Sequence, residues 1–165
     1  MTYDFRKANK YNLKPIIELF SRAVKDLCAR GIDQWDEYYP TSQILKNDID
    51  SGDMYVLCEN GEIVSAVVIN EHQEEEYEQS KWKDDGKPAV IHRLCVDPMA
   101  QSKGTGRRTM EFAEQLIKEK GYTSIRLDVF TKNPRAYQLY KNLGYQHTGE
   151  FNFFKGRFFL LDKIL

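Results

Sequence analysis

The apolar positions of the chain change period several times, and each change predicts an element. Residues 3–6 read as a short strand. Leu13, Ile16, Ile17, Phe20, Val24 and Leu27 then recur at helical spacing, predicting an amphipathic helix that Gly31 closes. Thr41 is placed to cap a second short helix over 42–50. Met54–Glu59 and Glu62–Asn70 are rich in β-formers and flank Asn60-Gly61, a strong hairpin signal. The acid-rich stretch 71–87 predicts a loop or an extended hairpin tip. Residues 89–96 form an apolar strand that ends at Asp97-Pro98. A helix follows over 104–120, with Met110, Ala113, Leu116 and Ile117 on its apolar face. Ser124–Phe130 alternates with period two, so Ile125, Leu127 and Val129 share one face. Asn133-Pro134 supplies a favoured N-cap and N1 pair for a last helix. Its inner stripe is Ala136, Leu139, Tyr140 and Leu143, and Gly144 closes it. Two strands, 151–154 and 158–161, then flank Lys155-Gly156.

The predicted order is β-α-α-β-β-β-α-β-α-β-β, which makes a mixed sheet with helices packed against it. With 165 residues and no repeat or linker, the expectation is a single domain over 1–165, of α/β (α+β) class.

Composition narrows the function. An apolar fraction of 41% and an aromatic fraction of 13% exclude a disordered chain. Lys+Arg 24 against Asp+Glu 25 gives a net charge of −1, which weighs against a nucleic-acid partner. Cys28, Cys58 and Cys95 are odd in number and far apart, so neither a zinc spacing nor a disulfide framework is visible, and no metal is expected. The start, MTYDFRKANKYNL, has no apolar signal region, and no apolar run approaches the ~20 residues of a membrane span. The expectation is a cytoplasmic protein with no membrane partner.

The informative stretch is Val96 to Arg108, VDPMAQSKGTGRR. A strand ends at a proline, a loop with Gly104 and Gly106 follows, and a helix begins. Glycine tolerates positive φ and lets a ligand approach the backbone. A helix start presents N–H groups that lack intrahelical partners, at the positive end of the helix dipole. Lys103, Arg107 and Arg108 add charge, so the segment suits a phosphate or pyrophosphate; a plain tight turn is the alternative. The patterns GxxxxGK[ST] and GxGxxG are both absent. What stands there is Gln101-x-x-Gly104-x-Gly106.

Roughly thirty residues on, within the scale of one βαβ unit, comes Asn133-x-x-Ala136-x-x-x-Tyr140-x-x-x-Gly144-Tyr145. The two motifs together resemble the GNAT superfamily of acetyl-CoA-dependent N-acetyltransferases, and the element order fits that fold from Tyr3 onward. The resemblance implies a sheet of about six to seven strands with about four helices, splayed at the acyl-CoA site between strands 89–96 and 124–130. It implies that Leu94, Cys95 and Val96 bind the pantetheine arm through backbone groups. It implies that Gln101, Ser102, Lys103, Gly104, Thr105 and Gly106, with Arg107, hold the pyrophosphate. Asn133 and Ala136 map to positions near the cofactor arm, and Asn133 also reads as a plain N-cap. Tyr140 maps to the tyrosine that protonates the departing thiolate, or it is a core tyrosine on the helix stripe.

The general base stays open. Some branches of the family place a glutamate early on the strand that here carries Val90. His92 lies two residues on and shares its face, and an unperturbed imidazole titrates near ~6.5. The alternatives are Glu71 or His72 at the end of the preceding strand, or water, or simple packing of His92. The resemblance implies that the acceptor cleft is shaped by the connection IDQWDEYYP, Ile32 to Pro40. There Trp35, Tyr38 and Tyr39 are candidate pocket walls, and Asp33, Asp36 and Glu37 would draw a cationic amine; Glu71, at the end of the strand before 89–96, is a further candidate substrate-binding residue. Trp35 and its aromatic neighbours read equally as a packed corner between helices. The function implied is transfer of acetyl from acetyl-CoA to a primary amine, with a small-molecule acceptor. A protein N-terminus or lysine, or a silent acyl-CoA-binding regulator, is the alternative. The aromatic group Phe151, Phe153, Phe154, Phe158 and Phe159 marks a possible homodimer interface.

Overall fold

A computed structural model describes residues 2–165. The strands are β1 (Tyr3–Lys7), β2 (Met54–Glu59), β3 (Glu62–Asn70), β4 (Pro88–Val96), β5 (Ser124–Phe130), β6 (Gln146–Phe153) and β7 (Gly156–Ile164). The helices are α1 (Leu13–Ala29), α2 (Ser42–Asp50), α3 (Thr105–Glu119) and α4 (Pro134–Asn142). The seven strands run in the order β1-β2-β3-β4-β5-β7-β6. β4 and β5 are parallel, while β1–β2, β2–β3, β5–β7 and β6–β7 are antiparallel, so the sheet is mixed. Seven strands and four helices agree with the sequence expectation.

The chain forms two compact units, Met1–Ile69 with Arg93–Phe112, and Asn70–His92 with Ala113–Leu165. In the first unit, α1 buries Ile16, Leu19, Phe20, Ala23 and Leu27 along one stripe. Every residue of β2 from Met54 to Cys58 is buried, which is why its sequence reads as a continuous apolar run rather than an alternation. The β2–β3 hairpin turns at Asn60 (φ 51°) and Gly61 (φ 85°), the two left-handed residues that a type I′ turn requires. Phe5 stacks on Tyr55 at 5.6 Å and on Phe112 at 5.5 Å.

In the second unit, Tyr77, Val90, Phe151 and Leu160 form a buried cluster, with Trp82 and Phe158 packed against it. The acid-rich tract is therefore more than a solvated connection. It holds a 3-10 turn, Glu75–Gln79, and Tyr77 is its buried anchor. The Trp82 indole N–H donates to the Tyr77 carbonyl at 2.8 Å, and the Ser80 hydroxyl donates to Thr148 at 2.8 Å. The guanidinium of Arg126 lies 4.5 Å from the Trp82 ring. The aromatics hold the tract down while its glutamates face water.

β6 and β7 are also longer than the apolar runs 151–154 and 158–161 suggest. Polar residues Gln146 to Glu150 carry the first half of β6, and a register shift between His147 and Gly149 breaks the alternation there. The ladder to β7 extends the strand, not side-chain pattern. Phe153 and Phe154 are exposed, whereas Phe151 is buried.

Candidate active site

β4 runs from the second unit into the first and carries several of the residues singled out from the sequence. Its first residues pair with β5 in the second unit: Pro88↔Ser124, Ala89↔Ile125 and Val90↔Arg126. The ladder stops there, although β5 runs on to Phe130. The pairing ends before Ile91 and His92, where the resemblance implies a splay.

His92 is half-buried. Its Nε2 lies 2.8 Å from Asn70 Oδ1, and the same oxygen accepts the backbone N–H of His72 at 2.9 Å. An atom that accepts a backbone N–H is the carbonyl oxygen of the amide, so Nε2 must carry the proton toward it. Neutral His92 then has its basic lone pair on Nδ1. The His72 ring lies 6.2 Å away and pairs with Glu74 at 3.4 Å. Glu71 is exposed; it accepts the Tyr122 hydroxyl at 2.8 Å and stands 3.8 Å from Lys87.

Tyr140 is buried on α4, its ring 5.8 Å from that of Tyr145. Burial pushes its phenol well above the usual tyrosine range, and the charge of Asp128 pushes the same way. It therefore stays protonated throughout the physiological range and is available as a proton donor. Asn133 is buried and caps α4, its Oδ1 accepting the Ala136 N–H at 3.2 Å. The capping role read from sequence is present. Ala136 is half-buried in the first turn of that helix.

In the first unit, β4 continues through Leu94, Cys95 and Val96. Cys95 is fully buried and burial raises its thiol, so it is a packed side chain and no nucleophile. Leu94 and Val96 are half-buried. Asp97 then turns the chain: its backbone N–H donates to Val64 at 2.9 Å and its carboxylate accepts from Arg22 at 2.9 Å. The loop beyond turns at two left-handed residues, Ser102 (φ 65°) and Gly104 (φ 79°). Such turns line up successive N–H groups into an anion-binding concavity, and here they lead into the N-terminus of a 15-residue helix. Ser102, Lys103 and Gly104 are exposed and Gln101 is half-buried. Thr105 is buried; the Thr109 hydroxyl bonds its carbonyl at 2.7 Å and Ser65 at 2.6 Å, which fixes the helix start. Gly106 is the second helical residue. Arg107 is exposed and pairs with Glu111 at 2.9 Å.

The aromatic connection is held by an arrangement the sequence reading missed. Asp36 Oδ1 accepts the N–H groups of Tyr38 and Tyr39 at 2.8 and 3.0 Å. Arg93 grips Asp48 of α2 in a two-pronged ion pair at 2.9 and 2.7 Å, and donates to the Tyr39 hydroxyl at 3.0 Å. Arg93 sits inside β4 with φ 48°, a left-handed kink that re-aims its side chain. Burial raises the Asp48 carboxyl and Arg93 opposes it, while at Arg93 the bonds to Asp48 and Tyr39 outweigh burial and raise the guanidinium. Trp35 is buried against Phe20 at 5.3 Å, which puts it in the core, while Tyr38 is 77% exposed. The signal for Arg93 was visible: a lone cation inside an apolar strand demands a partner. Among the described residues, no group of three or more His, Cys, Asp or Glu is arranged to hold a metal. No helix among them is long and apolar enough to cross a membrane.

Comparison with known proteins agrees with this layout. The model of the Acetyltransferase (GNAT) family matches residues 18–145. An uncharacterized N-acetyltransferase of Methanocaldococcus jannaschii is 28% identical over 153 residues, 88% of this chain and 61% of that protein. The chain thus spans about three-fifths of the length of that relative. The S-(2-succino)cysteine N-acetyltransferase of Bacillus subtilis is 26% identical, over 92% of this chain and 89% of its own. A GNAT-family acetyltransferase crystal structure from Streptococcus agalactiae superposes with a TM-score of 0.87 at 25% identity, covering 99% of this chain and 95% of the other. A PaiA N-acetyltransferase from Thermoplasma acidophilum, solved in complex with coenzyme A, shares the fold: TM-score 0.74, 18% identity, all of both chains. The family match covers well over half of the sequence, and the chain belongs to the GNAT acetyltransferase family.

Proposed function

We propose that this protein transfers the acetyl group of acetyl-CoA to a primary amine, by direct attack in a ternary complex. The observation that carries the reading is the loop 101–106, turned by two left-handed residues into the start of α3 directly after β4. Backbone N–H groups of Ser102 to Gly106 would hold the pyrophosphate, aided by Lys103 and Arg107. The end of β4, Leu94 to Val96, would hold the pantetheine arm through its backbone groups. Asn133 and Ala136 would stand beside that arm. The relative solved with coenzyme A supports this choice of cosubstrate.

In the reaction, the acceptor arrives as an ammonium ion and loses a proton to His92 Nδ1. The amine nitrogen then attacks the thioester carbonyl carbon. The tetrahedral intermediate collapses, the C–S bond breaks, the thiolate takes the phenolic proton of Tyr140, and the amide nitrogen, which still carries one proton too many, gives it up to the phenolate so formed. The amide product retains the acetyl group, and CoA leaves as the thiol. Cys95 takes no part, because burial keeps it a thiol. The Bacillus relative, whose name specifies a small modified amino acid, supports a small-molecule acceptor.

The test is release of free thiol from acetyl-CoA across a panel of amines. Tyr140→Phe is expected to lower kcat by roughly 10²-fold or more, the scale of general acid catalysis, with acetyl-CoA affinity unchanged. Unchanged turnover of every accepted amine would remove Tyr140 from the mechanism.

A further inference from the structure

We propose that Asp128 receives the acceptor as its ammonium ion, facing His92 across the opening between β4 and β5. The proposal rests on the acetyl-transfer reading above and adds an acceptor-binding residue to it.

The register places the two residues. The parallel ladder advances in step from Pro88↔Ser124 to Val90↔Arg126 and then ends. Two residues further along each strand stand His92 and Asp128. Side chains two apart share a face, so His92 follows Val90 and Asp128 follows Arg126. Tyr77 shows that these faces are the same one. It packs in one cluster with Val90, and its hydroxyl donates to Asp128 Oδ2 at 2.7 Å. The carboxylate is thereby oriented by a phenol that is itself 1% exposed.

Asp128 is also the only position of β5 that is not buried. The Tyr77 bond offsets part of the cost of holding a carboxylate on a strand otherwise closed to solvent. An aliphatic amine has a pKa near ~10 and reaches the enzyme as a cation. It must stop beside the thioester, part with one proton, and do so away from bulk water. A half-buried carboxylate offers the counter-charge for the first stage, and His92 takes the proton in the second.

The electrostatics of the unit support this position. The Asp128 charge is felt at Tyr140, where it adds to burial in holding the proton on the phenol. It acts in the same direction on Tyr77. A bound ammonium would cancel much of that field and ease proton release from Tyr140. The acid would then be readied only once an acceptor is present. The neighbouring cation, Arg126, is engaged elsewhere: it donates to Gln73 Oε1 at 3.0 Å and to the Asp84 carbonyl at 2.8 Å, and lies over Trp82.

The experiment uses the full chain saturated with CoA, and thermal unfolding as the readout. The probes are benzylamine, 1,4-diaminobutane and lysine amide, with aniline as an amine that is neutral at pH 7.5. Wild type is expected to show a saturable rise in Tm with at least one of the three cationic probes. In Asp128→Asn that amine should bind about 10–100-fold more weakly, the scale of a charge-assisted hydrogen bond. The CoA-induced shift and any response to aniline should be unchanged. Tyr77→Phe keeps the carboxylate and loses its orientation, so it should weaken the amine by a smaller factor. Equal amine affinity in wild type and Asp128→Asn would overturn the proposal, as would the lack of any saturable amine response in wild type. Loss of the CoA shift itself, in wild type, would instead count against the acetyl-transfer reading.

Discussion

The ion pair between Arg93 and Asp48 gives a sharp test of how the aromatic connection is held. Its side chains are 17% and 10% exposed, with two hydrogen bonds between them at 2.9 and 2.7 Å. Removing one partner of such a pair strands the other, and the expected cost is about 3 kcal/mol, the low end for buried pairs. Arg93→Met keeps most of the aliphatic stem but leaves Asp48 uncompensated and takes the donor from Tyr39. Asp48→Leu strands the guanidinium. At roughly 2–4 °C per kcal/mol for a chain of this length, each single substitution should lower Tm by about 6–12 °C. The double substitution leaves no stranded charge, so it should cost clearly less than the two singles added together. A coupling energy of about 2 kcal/mol is expected from the cycle. Urea unfolding followed by circular dichroism measures all four proteins, and the slopes should agree. Costs that add to within ~0.5 kcal/mol would refute the pair as a coupled unit.

Two further outcomes follow from the buried tyrosines and the loop. Tyr77, Tyr140 and Tyr145 are all raised by burial above the ordinary value of 10.0, helped by Asp128 at the first two and by Glu114 at the third. Below that value both folded and unfolded chains keep these protons, and stability is full. Above it the unfolded chain releases protons that the folded chain retains. Stability should then fall by up to about 1.4 kcal/mol per pH unit for each tyrosine. The Cys58 and Cys95 thiols, also raised by burial, add to that slope; urea titrations between pH 9 and 11 would show it, and Tyr140→Phe should make it shallower by up to about 1.4 kcal/mol per pH unit. At Gly104, φ is +79° and an added Cβ would meet nothing within 4 Å. Gly104→Ala should therefore cost about 1–2 kcal/mol through backbone conformation alone, and should weaken acetyl-CoA measurably in calorimetry. A rise in Tm would show that the left-handed turn is not needed.

Much of the fold was legible because local signals agreed with one another. Asn60-Gly61 predicted a hairpin and adopts the turn that hairpins need. Asn133 predicted a cap and accepts the Ala136 N–H. The loop before α3 was legible because Gly104 occupies a position with positive φ. What escaped notice were pairings over long sequence distances. Arg93 and Asp48 are 45 residues apart, and Tyr77 and Asp128 are 51 apart. No local period announces such contacts. Trp35 illustrates the opposite difficulty. An aromatic in a connection reads equally as a pocket wall or as core, and contact with Phe20 puts it in the core. The glutamates of the tract 71–87 suggest a loop, whereas its placement is governed by Tyr77 and Trp82.

The central claim is that the loop 101–106 and the end of β4 bind acetyl-CoA. Isothermal titration of the purified protein with acetyl-CoA, beside ATP and NAD, tests it most directly. The account predicts saturable one-to-one binding of acetyl-CoA and of CoA, with neither ATP nor NAD able to match it. A well-folded sample that shows no saturable binding of acetyl-CoA, or that binds all three ligands alike, would contradict the account.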